Sequence, residues 1–449
     1  MTQRHRVDTY ERLDVMETVR DSLRVLGPFR FFVLVSLILT YVWRFHDLAP
    51  IIRPLRLSAV ATVGSWLFLV GGDRQHLMRR LSDTAYVKLF LAWSAWILVS
   101  TFFALRPEYA RELWINDHFK TVTMVLFILS CPPSRSVTRL LIYTMSFGAA
   151  VLAVYYAKSG FPSWGSPAPM YDVNDLALLL NAAIPLSLFL ALSERSAFSR
   201  KMIWMSLLLC AFGVLSTRSR GGFLTLGCIS GLLLLDVQVS RWLKLAPFVA
   251  MALGFSVLPS ETKDRLLTLF NPADDYNVSG EDGRIAIWKR GAGYLLDRPV
   301  TGVGFRNFVI AEQTISAMAS QYGPRGGKVT HNSVLEVFFE TGFVGGLLYV
   351  AMIGSVLGRL MRSRRRMKEQ RRLENNLTQL CTELLTVSVL AFLVGGFFLA
   401  LGYTPALFAI LTIAVLIYPV DAGPDGASSR SNPPLRHRRQ GSRSLRPAL

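Results

Sequence analysis

DLALLLNAAIPLSLFLALS, Asp175 to Ser193, decides the fold class. It carries one charge, at its first position, and as a helix it is about 28 Å long, close to the ~30 Å hydrocarbon core of a bilayer. FRFFVLVSLILTYVW (Phe29 to Trp43) and LLTVSVLAFLVGGFFLALG (Leu384 to Gly402) read the same way. Such stretches must be helical, because lipid offers no hydrogen-bond partners to a free backbone. Working outward from them, we predict an all-α polytopic membrane protein with twelve spans, centred near residues 38, 64, 95, 126, 147, 184, 209, 229, 251, 345, 391 and 412; those near 126, 251 and 412 are short. The whole chain of 449 residues is 51% hydrophobic and 18% charged, too apolar for ordinary soluble domains.

Charge placement gives an independent topology. With the amino terminus inside, the inner loops around 73–84, 133–139, 195–201, 238–244 and 359–373 hold 18 Lys/Arg, far more than the short loops on the other side. The run RLMRSRRRMKEQRR from Arg359 is the strongest anchor. The first thirty residues are amphipathic and charged, unlike a cleavable signal peptide. The expected organisation is an inner segment 1–30, spans 1–9 over 31–258, a large outer loop 259–331, spans 10–12 over 332–420, and a basic disordered inner tail 421–449. The net charge of +19 is scattered over inner loops and tail rather than gathered on one face, which argues against nucleic acid and for contact with membrane lipid. Cys131, Cys210, Cys228 and Cys381 lie in or beside spans without metal spacing and read as packing residues.

The outer loop is the one extramembrane segment long enough for a site, and four constellations lie in it or at the span ends beside it. STRSRGG, Ser216 to Gly222, puts Arg218 and Arg220 at a membrane edge, where a guanidinium fork fits phosphate oxygens or snorkels to headgroups. GRIAIWKR, Gly283 to Arg290, starts a helix at Arg284, with Ile287 and Gly291 on one face and Trp288 one turn on. After it, PVTGVGF supplies Gly302 and Gly304, whose amides face a phosphate or only close a tight turn. THNSVLE, Thr330 to Glu336, places His331 and Asn332 at a helix start. A helix start disfavours the imidazolium, so His331 is either a neutral proton acceptor or a capping residue. YDVNDLA, Tyr171 to Ala177, offers Asp172 and Asn174 as N-caps or as partners for acceptor hydroxyls. Glu340 with Gly342, Gly345 and Gly346 reads as close helix packing. The acidic set Asp274, Asp275, Glu281 and Asp282 lacks calcium-loop spacing, and we expect no metal and no cofactor.

In this order S-R-G-G, R-x-x-x-W, P-x-x-G-x-G, H-N and E-x-G-x-x-G resemble the O-antigen ligase and polymerase superfamily, over roughly Asp172 to Gly346. The resemblance implies a bacterial inner-membrane enzyme with a periplasmic site. Such an enzyme moves a glycan from an undecaprenyl diphosphate carrier to a sugar hydroxyl, on lipid A-core or on another glycan. It also implies that Arg220 and Arg284 hold the diphosphate and that His331 is the base or positions the acceptor, with Arg218 less securely placed. A metal-independent, inverting transfer is expected. The resemblance leaves ligase, polymerase and protein O-glycan transferase open, and a transporter or flippase is the rival plan. Transporters usually carry internal repeats, and none is visible here.

Overall fold

A computed structural model describes residues 14–48, 50–72, 74–159, 171–237, 241–257, 260, 263, 280, 283–322, 327–370 and 376–417. The chain divides into Met1–Tyr418 and Pro419–Leu449, and the second unit, which contains the predicted tail, lies outside the described residues. So does the acidic set at 274, 275, 281 and 282.

The longer described helices are α1 (Val15–Leu26), α2 (Pro28–Leu37), α3 (Leu57–Gly71), α4 (Gln75–Asp83), α5 (Ala85–Phe102), α6 (Pro107–Leu113), α7 (Phe119–Ser130) and α8 (Arg135–Ser159). They continue as α9 (Val173–Ser193), α10 (Ala197–Ser216), α11 (Arg220–Asp236), α12 (Arg241–Val257), α13 (Arg284–Asp297), α14 (Phe308–Thr314), α15 (Ser333–Gln370), α16 (Asn376–Gly396) and α17 (Pro405–Leu416). Each predicted span centre falls in a helical segment. Six helices, α5, α8, α9, α10, α15 and α16, are long and apolar enough to cross a membrane, and the bent pair α1–α2 makes a seventh if it is one span. The segments near 64, 126, 229, 251 and 412 are helices of 12 to 17 residues. The family of apolar helices makes the chain a multi-pass membrane protein.

Two breaks shape the bundle. Between α1 and α2 the axis turns by 114° at Gly27, whose φ of 75° suits glycine and whose amide still reaches Leu23 O (2.8 Å). Pro28 then opens the next helix, where its missing N–H costs nothing. The second break lies inside α15 at Gly342 (φ 71°, ψ −175°). Breaking a helix frees carbonyls, and here each finds a donor. Phe339 O accepts from Val303 N (3.0 Å), Glu340 O from Gly304 N (2.9 Å) and Thr341 O from Trp96 Nε1 (2.9 Å), while Phe343 N donates to Pro299 O (2.8 Å). A side chain at Gly342 would meet Val300 O at 2.1 Å, so the P-x-x-G-x-G turn is built into the broken helix.

α9 is the centre of the main core: 94% of its apolar window is buried, and it packs on α8, α10, α11 and α16. Cys131, Cys210 and Cys381 are buried free thiols and Cys228 is half-buried. A second, smaller core of Ile287, Tyr294, Leu295, Val303, Phe308, Ala311 and Phe339 belongs to α13, α14 and the start of α15. It seats the described part of segment 259–331, expected to be an outer loop, on the bundle.

Candidate functional site

Four helix starts meet at one end of the bundle. At the first, Asp172 caps α9 and accepts from Asn174 N (2.7 Å) and Asp175 N (2.8 Å). Ser219 caps α11, accepting from Gly222 N (3.1 Å) and donating to Asn174 Oδ1 (2.7 Å), so the S-R-G-G serine ties the two starts together. Gly222 allows it: a Cβ there would stand 2.7 Å from that of Ala177 on α9, and Gly222 O accepts from the buried Asn181 Nδ2 (3.0 Å).

Arg220 and Arg284 are the first residues of α11 and α13. A cation at a helix start faces the positive end of the helix dipole, an arrangement that local helix energetics disfavours and that a bound anion reverses. Phe398, just past α16, packs against both helix starts. The Arg284 guanidinium lies over its ring (5.5 Å), and a Cβ added at Gly221, the residue after Arg220, would stand 3.4 Å from the Phe398 Cβ. Arg218 is exposed, in a left-handed conformation (φ 53°).

Trp288 stands one turn beyond Arg284 on the same face of α13. Its Nε1 donates to Thr330 O (2.8 Å), and its ring meets Phe397 edge-on at 5.7 Å. This bond fixes the residue before His331. Asn332 takes the capping role: its Oδ1 accepts from Val334 N and Leu335 N (both 3.0 Å), and it is buried. His331 is therefore not the cap. It is half-buried in a left-handed conformation (φ 47°), which is strained for a residue with a Cβ. Burial, and after it the Arg284 guanidinium, push its imidazole down to about 4; Asp172 opposes and Lys328 adds to the shift. The ring is thus neutral at physiological pH, and Asp172, Arg284 and His331 share one electrostatic environment.

Gly302 and Gly304 are at φ 64° and 98°, and a side chain on either would collide with Phe339 O or Ala104. Their amides donate to Arg298 O and Glu340 O (2.9 Å each). The first closes the turn after α13 and the second serves the joint in α15, in line with a tight turn rather than a phosphate cradle.

Sequence reasoning passed over a second set. Glu340, read as a packing residue, accepts from Arg306 N (2.9 Å) and Phe308 N (3.2 Å). Glu336, one turn after Asn332, accepts from Gly402 N (2.9 Å) and pairs with Arg306 Nη1 (3.3 Å), whose guanidinium lies over Tyr403 (5.0 Å). Ser333 Oγ donates to Leu399 O (2.7 Å) and accepts from Leu401 N (3.1 Å), so the turn after α16 is held against the H-N element. The signal was present: a carboxylate in an apolar helix is costly and marks function or a partner.

The arrangement can hold an anion between Arg220 and Arg284 with a neutral imidazole beside it. Residues 205–350 match the family model described as O-Antigen ligase, a span that takes in Arg218, Arg220, Arg284, Trp288, Arg306 and His331 but leaves Asp172 and Asn174 outside. The exopolysaccharide production protein ExoQ of Rhizobium meliloti (strain 1021) is 22% identical over 327 residues, covering 68% of this chain and 72% of ExoQ. That match and that likeness support the O-antigen ligase superfamily for the region that holds the site.

Proposed function

We propose that the protein is a glycosyltransferase of polysaccharide biosynthesis, working at the periplasmic face of a bacterial inner membrane. Its donor is a glycan on undecaprenyl diphosphate and its acceptor a sugar hydroxyl. The carrying observation is the convergence of helix starts, with Arg284 over Phe398, Gly221 of the Arg220 helix start packed on the same residue, and Arg284 acting electrostatically on His331. In this reading the chain crosses the membrane twelve times, with 259–331 outside and 359–373 inside.

The acceptor oxygen attacks the anomeric carbon as the bond from that carbon to the diphosphate oxygen breaks. The electron pair leaves on the diphosphate, where Arg220 and Arg284 stabilise the growing charge, and the hydroxyl proton passes to His331. One displacement inverts the anomeric centre, and the cationic side chains take the place a metal has in other sugar transferases. Asp172, Asn174 and Trp288 hold the elements in register, and Arg218 stands at the rim for a headgroup or the donor.

Transfer by the purified chain from undecaprenyl-diphosphate-linked glycan tests the reading, with and without EDTA. The expected result is turnover in both, with the glycan product of the source cells lost on gene deletion. Transport of the lipid-linked glycan across proteoliposomes without any new glycosidic bond would overturn it in favour of a flippase. The ExoQ likeness favours exopolysaccharide over lipopolysaccharide as the product class.

A further inference from the structure

We infer that Arg306 and Glu336, with Asp175 beside them, form the acceptor half of this site: a polar floor for the hydroxyls of an uncharged stretch of saccharide. The inference rests on the transferase reading and divides its site in two.

The division follows from charge. Arg284, at the start of α13, lies over Phe398, and Gly221, which follows Arg220 at the start of α11, packs against the same residue. The carboxylates form a separate set, in which Glu336 pairs with Arg306 at 3.3 Å and Asp175, in the first turn of α9, is close enough to feel both charges as well as that of Asp172. A diphosphate is repelled by carboxylates and settles on the arginines. A sugar hydroxyl is donor and acceptor at once, so it suits a surface that offers carboxylate oxygens and guanidinium N–H groups together.

Three further features set this pair apart from a structural ion pair. Arg306 is held at φ 57° by its own amide on Glu340, a strained conformation that aims the side chain at Glu336. Its side chain remains 31% exposed although its partner is 5% exposed, so the pair opens to the outside. Beneath it the Tyr403 ring, in a residue 4% exposed, lies under the Arg306 guanidinium (5.0 Å), and its hydroxyl is next to Glu340, so the floor joins an aromatic face to the charged pair. Because Glu336 is fixed by Gly402 N and lies one turn from Asn332, a saccharide on this floor is delivered next to His331.

The test uses the full-length chain in detergent, the source cells' undecaprenyl-diphosphate-linked glycan as donor and their glycolipid fraction as acceptor, each titrated separately. Inorganic pyrophosphate is the donor-side probe, read as a thermal shift. Arg306→Lys and Glu336→Gln should raise the acceptor concentration for half-maximal rate about tenfold or more, and Asp175→Asn about threefold. Donor half-saturation and the pyrophosphate shift should stay within about twofold of the parent. A fall in thermal stability or in kcat with acceptor half-saturation unmoved would show a merely structural pair and overturn the inference. Should both ion-pair variants fail to fold, Asp175→Asn decides alone, and an unchanged acceptor dependence in it overturns the inference. If the parent chain transfers nothing, the transferase reading falls and the inference with it; if the parent transfers and only these variants behave like it, the inference alone falls.

Discussion

Two arginine–glutamate pairs sit at opposite ends of the same bundle. At the end where α8 starts and α9 finishes, Arg139 is 3% exposed and Glu194 wholly buried, and the guanidinium also reaches Ser193 Oγ (2.7 Å) and Tyr143 OH (3.1 Å). Nearby, Arg80 donates to Cys131 O (2.9 Å) and Arg30 to Ser130 O (3.3 Å), both cations set at the carbonyl end of α7 where the helix dipole favours them. At the other end, Arg220 and Arg284 stand where the dipole disfavours them, and Arg306 is only partly covered. Among the described residues, five non-glycine positions are left-handed, and three of them, Arg218, Arg306 and His331, flank the site. The lesson is that arginine content alone says little in a membrane protein. Helix polarity, burial and backbone strain separate a buried cation that completes the fold from one set at a helix start beside a strained turn.

That contrast can be broken most directly at the site end. Arg220→Ala and Arg284→Ala should each lower turnover about a hundredfold or more, since each removes a charge-assisted contact to the leaving group. Lysine should rescue only in part, keeping the charge but losing the fork. His331→Ala should cut kcat about a hundredfold while pyrophosphate binding stays near that of the parent. Parent-like turnover in the histidine variant would leave the mechanism without its base.

At the opposite end the same residue type should behave differently. Arg139→Ala leaves Glu194 buried without its cation, at a cost on the order of 3–5 kcal/mol, seen as a lower unfolding midpoint and less folded protein. Turnover per folded molecule should remain within about twofold of the parent, because distant sites act independently. A hundredfold loss per folded molecule would erase the distinction between the two ends. Trp288→Phe is a smaller case on the site side: it removes one hydrogen bond to Thr330 O, worth about 1 kcal/mol, and should slow transfer roughly fivefold through misplacement of His331. Replacing Trp288 without slowing transfer would mean that His331 is held by its own turn.

The comparison also explains which parts of the molecule were legible in sequence. The six long apolar helices follow from composition, because lipid leaves the backbone no alternative. The cap Asp172 and the turn at Gly302 follow from local chemistry. In H-N, sequence could not say which residue capped; Asn332 does, since its short side chain reaches two amides, and His331 is left in the strained position before it. Arg306 with Glu336, and Arg290 with Glu312 (2.6 Å), were invisible because each pair is joined across 30 or 22 residues by tertiary packing. The break at Gly342 was hidden for a related reason: G-x-x-G-G in an apolar run reads as close packing, whereas the decisive facts are carbonyls capped by a turn forty residues earlier.

The smallest effect sharpens the comparison through pH. Burial first, then Arg284, hold the His331 imidazole down at about 4, below its ordinary 6.5. A base must be unprotonated, so kcat/KM, which reports the free enzyme, should be flat from pH 7 to about 5 and fall only near 4. The linkage sign is consistent: the unfolded chain binds a proton at higher pH than the folded one, so this group's share of stability is present above 6.5 and lost as pH falls toward 4. Lys328 adds to the depression and Asp172 opposes it, so Lys328→Ala should move the acid limb upward and Asp172→Asn downward, each by a fraction of a pH unit. Donor binding brings a diphosphate against Arg284 and cancels much of its field at the imidazole. The acid limb of kcat, which reports the loaded enzyme, should therefore lie above that of kcat/KM. Coincident limbs near 6.5, unmoved by either substitution, would show that His331 does not feel Arg284 and that the two do not share a site.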